Sequence, residues 1–438
     1  MENLDFSIKS LGPAQRLSPV HLSNRAGDMV ADYVHEDEYV IYKTDAVVGQ
    51  TITYKKQELL EKAGPRERIY FDPQNVHAGI ITCGGLCPGL NDVIRSIVMT
   101  LWYQYGVKRI SGIRFGYRGL IRDYNIPMIE LTPDIVTDIH QHGGTILGSS
   151  RGGGDRVSEM VDTIENAKIT MLFTIGGDGT QKGSLRIAEE IERRGLQTVV
   201  VGIPKTIDND LSFIEKSFGF ETAVGKAVEA VAGAHVEAHD AVNGIGIVKL
   251  MGRESGFIAA YTTLATNDVN YVLVPEVPFE LDGPNGLLLH LKNRLSTRNH
   301  ALIVVAEGAG QELMAKESAQ DASGNKKFAD IGIYLKDRIS SYFASEGIET
   351  NLKYIDPSYI IRSTPANPSD SIYCSRLGKN AVHAAMAGKT KMLISLVNNT
   401  FVHVPISLAV SKRNFIDPES ALWRDVLQAT GQPALFKN

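Results

Sequence analysis

Cysteine is scarce in this chain, and its scarcity limits what the thiols can do. Only Cys83, Cys87 and Cys374 occur among 438 residues. An odd and sparse set indicates a reducing compartment and not a disulfide framework. Cys83 and Cys87 do not have the C-x-x-C spacing of a redox or zinc pair, so we interpret them as small residues that line a tight loop.

Long hydrophobic runs and blocks of like charge are also missing. No apolar run approaches the roughly 20 residues of a membrane-spanning helix, and the first residues lack the basic-then-apolar order of a signal peptide. Lys plus Arg total 45 and Asp plus Glu 50, a formal charge of -5. This balance argues against binding to nucleic acid or to a membrane surface. Residues 435–438 match no targeting or lipidation signal, and we expect a cytoplasmic protein.

The order of the segments predicts the fold. From His77 onward, strand-like apolar runs alternate with helical segments, the order of a parallel sheet that is covered by helices. Because the chain exceeds one typical domain, we predict an α/β protein with two domains. Residues 1–72 lack glycine-rich turns after strands and are expected to be an extension packed on the main body or on a neighbour. The polar segment 310–330 is expected to be an exposed loop of the second domain.

Two short segments carry most of the chemical information. Gly-Gly-Asp-Gly-Thr (176–180) and Pro-Lys-Thr-Ile-Asp-Asn-Asp (204–210) each follow a β-branched apolar run, residues 169–175 and 198–203. Such runs predict buried parallel strands, whose carboxyl ends are the place where open α/β sheets bind ligands. The two segments together indicate phosphoryl transfer.

The carboxylates of these segments have distinct predicted roles. Asp178 is suited to Mg²⁺, which prefers hard oxygen ligands and substrate phosphates; alternatively, it caps the following helix. Asp208 and Asp210 would project to one side if their segment were extended, and one of them could accept a hydroxyl proton. The alternative is an ordinary Asp-rich turn.

Two more glycine-rich loops could bind phosphate. Residues 84–91 lie between a predicted strand and a predicted helix, with Asn91 as the predicted N-cap. Residues 148–154 hold Arg151, which could bridge phosphate oxygens during transfer. The alternatives are a tight turn for the first loop and a flexible surface turn for the second.

Other polar residues fit a phosphorylated sugar. Arg253 follows a predicted strand, and Glu307 ends another; they could bind a sugar phosphate and sugar hydroxyls. A late basic cluster suited to the substrate's phosphate consists of Lys353, Tyr359 and Arg362. Each alone could equally be a solvated or salt-bridged group.

Two histidines share a predicted helix. His235 and His239 are four residues apart, a spacing that suits metal ligands, but no third ligand is evident from the sequence. We therefore predict no zinc site.

In their order along roughly residues 75–400, these motifs resemble the phosphofructokinase family. The combination of Thr-Ile-Asp-Asn-Asp (206–210) with Met-Gly-Arg (251–253) is specific to it. Gly-Gly-Asp-Gly-Thr is less specific, because NAD kinases and diacylglycerol kinases share it.

The resemblance implies Mg²⁺-dependent phosphorylation of fructose 6-phosphate at its 1-hydroxyl, with ATP as the donor. It implies two Rossmann-like three-layer domains with mainly parallel sheets and the active site in the cleft between them. Asp208 would be the base, Asp178 the Mg²⁺ ligand and Arg151 the bridge between donor and acceptor. The implied donor-binding residues are Gly85, Arg151, Gly177, Asp178, Gly179, Thr180 and Gly183. The implied substrate-binding residues are Thr206, which would also contact the transferred phosphoryl group, Asp208, Asp210, Met251, Gly252, Arg253, Glu307, Lys353, Tyr359 and Arg362.

The resemblance also implies a domain division and an assembly. Residues 73–219 with about 366–405 would form the nucleotide domain, residues 220–365 the fructose 6-phosphate domain, and residues 406–438 a C-terminal tail. A homo-oligomer is expected, and a tetramer is favoured over a dimer.

Two positions bear on the phosphate donor. ATP users in this family typically have Gly at 179, as here, whereas pyrophosphate users have Asp. Lys205 matches the pyrophosphate enzymes, since typical bacterial ATP enzymes have Gly there. The mixture resembles the ATP-dependent enzymes of trypanosomatids within the pyrophosphate-like branch, so we expect ATP. The alternatives are a pyrophosphate-dependent enzyme, an NAD or lipid kinase, and a non-catalytic regulatory paralogue, although such a paralogue would be expected to lose Asp208, Asp178 or Arg151.

Overall fold

The computed structural model describes residues 4–45, 48–49, 53–314 and 328–438. The chain forms two compact units. Unit 1 consists of the chain up to Thr206 together with Leu211–Gly219 and Thr364–Arg413, and unit 2 of Ile207–Asp210, Phe220–Ser363 and Asn414–Asn438.

The strands are numbered in chain order. They are β1 (Lys9–Ser10), β2 (Arg16–Leu17), β3 (Tyr39–Ile41), β4 (Leu59–Glu61), β5 (Arg68–Ile69), β6 (His77–Thr82), β7 (Arg109–Ile113), β8 (Ile129–Glu130), β9 (Met171–Gly176), β10 (Val199–Pro204), β11 (Gly244–Leu250), β12 (Tyr271–Leu273), β13 (His300–Ala306), β14 (Asn351–Ile355), β15 (Lys389–Thr390), β16 (Met392–Val397) and β17 (Thr400–Pro405).

The helices follow the same order. They are α1 (Leu90–Met99), α2 (Pro133–Val136), α3 (Val157–Asn166), α4 (Asp178–Arg193), α5 (Phe220–His239), α6 (Phe257–Thr266), α7 (Leu287–Arg298), α8 (Ile331–Ser345), α9 (Ser358–Ser363), α10 (Pro368–Met386), α11 (Ile406–Ala409) and α12 (Ala421–Thr430). Of the helices described, none is long and apolar enough to cross a membrane.

Unit 1 is organised around a seven-stranded sheet in the order β17-β16-β10-β9-β6-β7-β8. Its five inner strands are parallel, and the two outer strands, β8 and β17, pair antiparallel with their neighbours. Every residue of β6, β9 and β10 is buried, because helices cover both faces of a parallel sheet and select continuous apolar runs. The strands β9 and β10 match the predicted runs, so the glycine-rich and Asp-rich segments begin where these strands end.

Unit 2 contains a four-stranded, fully parallel sheet in the order β12-β13-β11-β14. Its core includes Ile245 and Ile303 from the sheet, Leu291 from α7, and Leu335 and Phe343 from α8. The predicted α/β fold class with mainly parallel sheets is therefore confirmed.

The N-terminal extension packs on the sheet of unit 1. The backbone N–H of Ala63 donates to the Phe401 carbonyl at 2.8 Å, Lys62 forms a bridge with Val402, and β1 pairs with β15. Phe6 is buried in the same apolar cluster as Val402. Covering the edge strand β17 in this way protects its exposed backbone from pairing with other chains.

The sequence predicted two segments without regular structure, an exposed loop at 310–330 and a C-terminal tail at 406–438. Most of the predicted loop 310–330, residues 315–327, lies outside the described residues. The segment expected to be a C-terminal tail contains α11 in unit 1 and α12 in unit 2. Trp423 of α12 is 2% exposed.

Candidate active site

Three loops of unit 1 begin at one edge of its sheet. The strands β6, β9 and β10 are adjacent and parallel, with Thr82 opposite Ile175 and Pro204 opposite Gly176. The N–H of Lys205 donates to the Gly176 carbonyl at 3.0 Å. The residues that follow these strands therefore emerge side by side, at the edge where open α/β sheets bind ligands.

Hydrogen bonds join the loops 84–91 and 148–154. Gly84 has a φ of +87°, and its N–H donates to the Ser150 carbonyl at 3.1 Å. The Ser149 hydroxyl donates to the Gly84 carbonyl at 2.6 Å. A Cβ atom at Gly85 would lie 3.8 Å from Nη2 of Arg151. The guanidinium of Arg151 is thus beside the backbone of Gly85, as a shared phosphate site requires.

The glycines at the start of α4 differ in their surroundings. A Cβ atom at Gly176 would lie 2.2 Å from Oγ1 of Thr180, and one at Gly177 would lie 3.2 Å from the Lys205 carbonyl oxygen. A Cβ atom at Gly179 would have no atom within 4 Å. Close packing therefore requires the first glycine, whereas Gly179 leaves open space at the first turn of the helix, where backbone amides favour anions.

Asp178 is the carboxylate of this first turn. Its Oδ2 lies 2.9 Å from Nζ of Lys182 and 3.9 Å from Nη2 of Arg413, and its side chain is 18% exposed. Among the described residues, no group of three or more His, Cys, Asp or Glu side chains is arranged for a metal. A single, partly exposed carboxylate that already pairs with Lys182 fits Mg²⁺ only where substrate phosphates and water complete the coordination.

Lys205 is held against the loop 84–91. The residue is 7% exposed, and its Nζ donates to the Gly85 carbonyl at 2.6 Å. Lys205 therefore helps to fix the loop beside Arg151. No sequence pattern indicates this contact, because Gly85 and Lys205 are distant along the chain.

Tyr117 is a residue that sequence reasoning missed. Its hydroxyl donates to the Thr180 carbonyl at 2.6 Å, and its ring would be 2.7 Å from a Cβ atom at Gly183. Packing against Tyr117 thus explains the glycine at 183, and a role of Gly183 in donor binding stays a prediction. The sequence signal for Tyr117 is the pair Gly116 and Gly119, which follow β7 much as glycines follow β6.

The predicted N-cap of α1 is wrong. The cap is Gly89, with a φ of +100°, and not Asn91. Asn91 instead accepts from the Ile146 N–H and donates to the His142 carbonyl, both at 3.0 Å. The glycine adopts the left-handed conformation and caps the helix two residues earlier than predicted, so the Asn91 amide can hold the segment that leads to the loop 148–154.

Unit 2 presents a second set of candidate residues. The strands β11 and β13 are adjacent, and Leu250 pairs with Ala306 at their carboxyl ends. Beyond them the N–H of Gly308 donates to the Gly252 carbonyl at 3.0 Å. A Cβ atom at Gly308 would lie 1.9 Å from the Arg253 carbonyl oxygen. This close backbone contact holds the segment of Met251, Gly252 and Arg253 beside Glu307.

The Asp-rich segment is a turn. Residues 207 and 208 form the turn, and Asn209 has a φ of +55°, so the extended arrangement considered for Asp208 and Asp210 is wrong. The Ser255 hydroxyl donates to the Asp208 carbonyl at 3.1 Å, and the Asn414 N–H donates to the Asp210 carbonyl at 2.8 Å. Asn tolerates the left-handed conformation better than most residues, which explains its place between the two acids.

Asp208 has an unusual electrostatic environment. Its Oδ1 is buried and has no hydrogen-bond partner among the described residues. Burial, followed by the negative charges of Asp210 and Glu307, raises the pKa of Asp208 to about 7, against the opposing effects of Arg362 and the Arg253 backbone. The structure thus brings Asp210, Glu307, Arg362 and Arg253 together around the Asp208 carboxylate.

The late basic cluster is only partly assembled. Nε of Arg362, in the last turn of α9, lies 3.1 Å from Sδ of Met251. Lys353 pairs with Gly246, well before the carboxyl end of β11, and Tyr359 is 83% exposed. Within unit 2, Arg362 is therefore the member of the three that lies with Met251.

Comparison with known proteins identifies the family to which this chain belongs. The family model "Phosphofructokinase" matches residues 77–385, and the chain belongs to this family. A protein from Borreliella burgdorferi named ATP-dependent 6-phosphofructokinase is 58% identical over 444 residues, which cover 100% of this chain and 99% of that protein. A protein of the same name from Trypanosoma cruzi is 50% identical over 375 residues, covering 85% of this chain and 76% of that protein.

A solved structure shares the fold. The pyrophosphate-dependent phosphofructokinase from Marinobacter aquaeolei matches with a TM-score of 0.66 over 81% of this chain and 91% of that chain, at 20% sequence identity. At this identity the likeness concerns the fold alone and not the choice of phosphate donor.

Proposed function

We propose that the protein is an ATP-dependent 6-phosphofructokinase, which phosphorylates the 1-hydroxyl of fructose 6-phosphate and yields fructose 1,6-bisphosphate in glycolysis. The observation that carries the proposal is the Asp208 carboxylate, with its buried, unpartnered Oδ1 and its raised pKa. The names of the full-length relatives support it.

Asp208 is the proposed base. A base for hydroxyl phosphorylation needs an oxygen that can accept a proton and a pKa near the working pH. Oδ1 of Asp208 has no competing donor among the described residues. Asp210 and Glu307 contribute by raising the pKa of Asp208, and Arg362 limits the increase.

The sugar phosphate is proposed to bind to unit 2. The implied contacts are Met251, Gly252, Arg253, Glu307 and Arg362, which follow its strands or lie beside them. Cationic guanidinium groups suit a phosphate. For Lys353 and Tyr359, contact with the substrate rests on the family resemblance.

The donor phosphates are proposed to bind to unit 1. The backbone at Gly85, Gly177, Gly179 and Thr180 would face them, with Arg151 neutralising charge as it is transferred. Thr206 would contact the transferred group. Asp178 would hold Mg²⁺, which when bound neutralises phosphate charge.

Gly179 favours ATP over pyrophosphate. The open space at this position leaves room for a nucleotide. Lys205 favours the second candidate, a pyrophosphate-dependent enzyme, because a buried cation beside the loop suits a small, highly charged donor. Its ammonium group already binds the Gly85 carbonyl, so we give Gly179 more weight.

A donor assay tests the proposal. The purified chain is supplied with fructose 6-phosphate and Mg²⁺, and product is measured with ATP and with pyrophosphate in parallel. An Asp208→Asn preparation made in the same way controls for contaminating kinases. We expect turnover with ATP. Turnover with pyrophosphate alone would establish the second candidate, and no turnover with either donor would refute both.

Assembly and location are also proposed. We expect a cytoplasmic homotetramer, with unit 1 as the nucleotide domain and unit 2 as the fructose 6-phosphate domain. Sedimentation of the untagged chain measures the subunit number, and a monomer would contradict the assembly.

A further inference from the structure

Glu276 holds two segments of unit 2 through their backbone N–H groups. It follows β12, at the carboxyl edge of the four-stranded sheet. The Gly256 N–H donates to Oε1 and Oε2 of Glu276 at 3.0 and 3.1 Å, and the Ile416 N–H donates to Oε1 at 2.9 Å. One carboxylate thus joins the start of α6 to the C-terminal segment of the chain.

The residue that precedes the cap of α6 contacts the Asp-rich turn. The Ser255 hydroxyl donates to the Asp208 carbonyl at 3.1 Å, and Ser255 is 1% exposed. Further along the turn, the Asn414 N–H donates to the Asp210 carbonyl at 2.8 Å. The two segments that the Glu276 carboxylate joins are therefore the same two that hold the backbone of the turn.

These contacts form a closed ring of hydrogen bonds and short chain segments, and all of its members belong to unit 2. In order around the ring they are Asp208, Ser255, Gly256, Glu276, Ile416, Asn414 and Asp210. Supporting hydrogen bonds of this kind hold reactive groups in a productive geometry. Loss of the Glu276 contacts would open the ring and separate the two segments that hold the turn.

Packing brings the start of α6 close to Glu276. A Cβ atom at Gly256 would lie 2.3 Å from Cγ1 of Val274, which follows β12, and 3.1 Å from Oε2 of Glu276. Glycine is therefore required for this approach. Gly256 is the N-cap of α6, and the N–H of an N-cap has no partner inside its own helix. The carboxylate supplies that partner.

The surroundings of Glu276 favour a role in holding the backbone. Burial raises the pKa of Glu276, and the hydrogen bonds from Ile416 and Gly256 oppose this increase without cancelling it. Removing a carboxylate from water destabilises the folded chain, and hydrogen bonds offset that cost. An ionised carboxylate has two oxygens that only accept, which suits a residue that receives N–H groups from two separate segments.

We propose that Glu276 is a positioning residue for phosphoryl transfer, which fixes the backbone of the turn that carries Asp208. This inference rests on the proposed function, in which Asp208 is the base. Glu276 would act through Gly256 and Ile416 without touching the substrate. An error of about 1 Å in the position of a reacting group can lower a rate roughly 100-fold, so contacts to the backbone of the turn are enough to affect turnover.

Steady-state kinetics of Glu276→Ala and Glu276→Gln test the proposal. Alanine removes both acceptor oxygens, and we expect kcat to fall roughly 10- to 100-fold. Glutamine retains one acceptor oxygen, and Oε1 alone accepts from both N–H groups, so this variant should keep most of the turnover. Glu280→Ala is the matched control, because Glu280 also accepts a C-terminal N–H, that of Asn438 at 3.1 Å. Its kcat should equal that of the parent chain.

The pH profile separates positioning from a loss of folded enzyme. Because Asp208 has a pKa of about 7, kcat/KM of the parent chain should decline below about pH 7. A loosened turn would admit water and weaken the effects of Asp210, Glu307 and Arg362 on this carboxylate. Since burial is the largest cause of the raised pKa, the decline in Glu276→Ala should move to lower pH. Fewer folded molecules would lower the profile without moving it. An unmoved profile, or parent kcat in Glu276→Ala, would overturn the proposal.

Hydrogen exchange of the chain without substrates gives a readout that does not depend on the reaction. Amides in residues 207–210, 251–256 and 414–416 should exchange faster in Glu276→Ala than in the parent chain, and at the parent rate in Glu280→Ala. Equal exchange in Glu276→Ala and the parent chain would overturn the ring. Faster exchange with unchanged kcat would overturn the positioning role alone, whereas a parent chain that turns over neither donor would refute the proposed function and this role with it.

Discussion

Asp208 shows how stability and chemistry conflict at a single residue. Its Oδ1 is buried without a hydrogen bond among the described residues, and Asp210 and Glu307 repel its charge. A buried carboxylate with acidic neighbours destabilises the folded chain when it ionises. Perturbed groups of this kind concentrate at functional sites, which is why we assign the proton transfer to Asp208.

Replacing Asp208 by Asn should separate catalysis from binding. We expect turnover to fall by about two orders of magnitude or more, because the amide keeps the size of the side chain but cannot accept the hydroxyl proton as a base. The Michaelis constant for fructose 6-phosphate should change little. Steady-state kinetics measure both, with Asp268→Asn, an exposed acid of unit 2, as the control. Near-normal turnover in Asp208→Asn would refute the base assignment.

The same substitution should alter how stability depends on pH. An unfolded Asp titrates near about pH 4, whereas Asp208 in the folded chain titrates at about 7. Between these values the folded state holds a proton that the unfolded state has released, so this residue makes stability fall as pH rises.

In Asp208→Asn, no carboxylate at this position makes stability fall as pH rises. Its thermal midpoint, relative to the parent chain, should therefore rise from about pH 4 to about pH 7 and then level off. Scanning calorimetry of both chains across this range measures the difference. A constant difference would mean that the pKa of Asp208 is not raised.

At the scale of elements, the glycines after the strands serve two purposes. Gly176 and Gly308 are required by packing, because a Cβ atom at either would lie within 2.2 Å of another protein atom. Gly179 has no such neighbour. Packing therefore does not require glycine at position 179, and we propose that the missing side chain leaves room for the phosphate donor.

Gly179→Asp should weaken the use of ATP. A carboxylate in this open space would repel the nucleotide phosphates, and we expect kcat/KM for ATP to fall at least about tenfold, or roughly 1.4 kcal/mol. Gly179→Ala, which adds no charge and meets no atom, is the matched control and should retain most activity. Steady-state kinetics with ATP as the varied substrate measure kcat/KM for both variants and for the parent chain. Unchanged ATP kinetics in Gly179→Asp would contradict the role of Gly179 in donor access.

At the scale of the whole molecule, sequence patterns predicted the strands and loops that are determined by neighbouring residues in the chain. Buried β-branched runs that end in glycine placed β9 and β10 and the loops after them, because burial on both faces leaves a continuous apolar signal. Contacts between distant segments left no such signal. The pairing of Lys205 with Gly85, the packing of Tyr117 on Gly183 and the hydrogen bond from Ile416 to Glu276 all arise only when the sheets assemble.

The N-terminal extension joins unit 1 through a buried group of charges. Glu61 accepts from Arg66, Lys389 and His403 at 3.0–3.1 Å, and its side chain is 9% exposed. Burial alone would raise the pKa of Glu61, but the His403 hydrogen bond and the positive neighbours lower it overall. Since Lys389 and His403 belong to the sheet region, Glu61 connects the first residues of the chain to its last strands.

Glu61→Gln should therefore destabilise unit 1. Arg66 and Lys389, whose side chains are 4% and 11% exposed, would lose a buried partner. Glu36 still pairs with both, so we expect a loss of roughly 3 kcal/mol, the lower end for breaking a buried ion pair. Urea unfolding followed by circular dichroism measures it. Glu67→Gln, an exposed acid of the same segment, should change stability by no more than about 0.5 kcal/mol. Equal stability of Glu61→Gln and the parent chain would show that these charges do not hold the extension on the sheet.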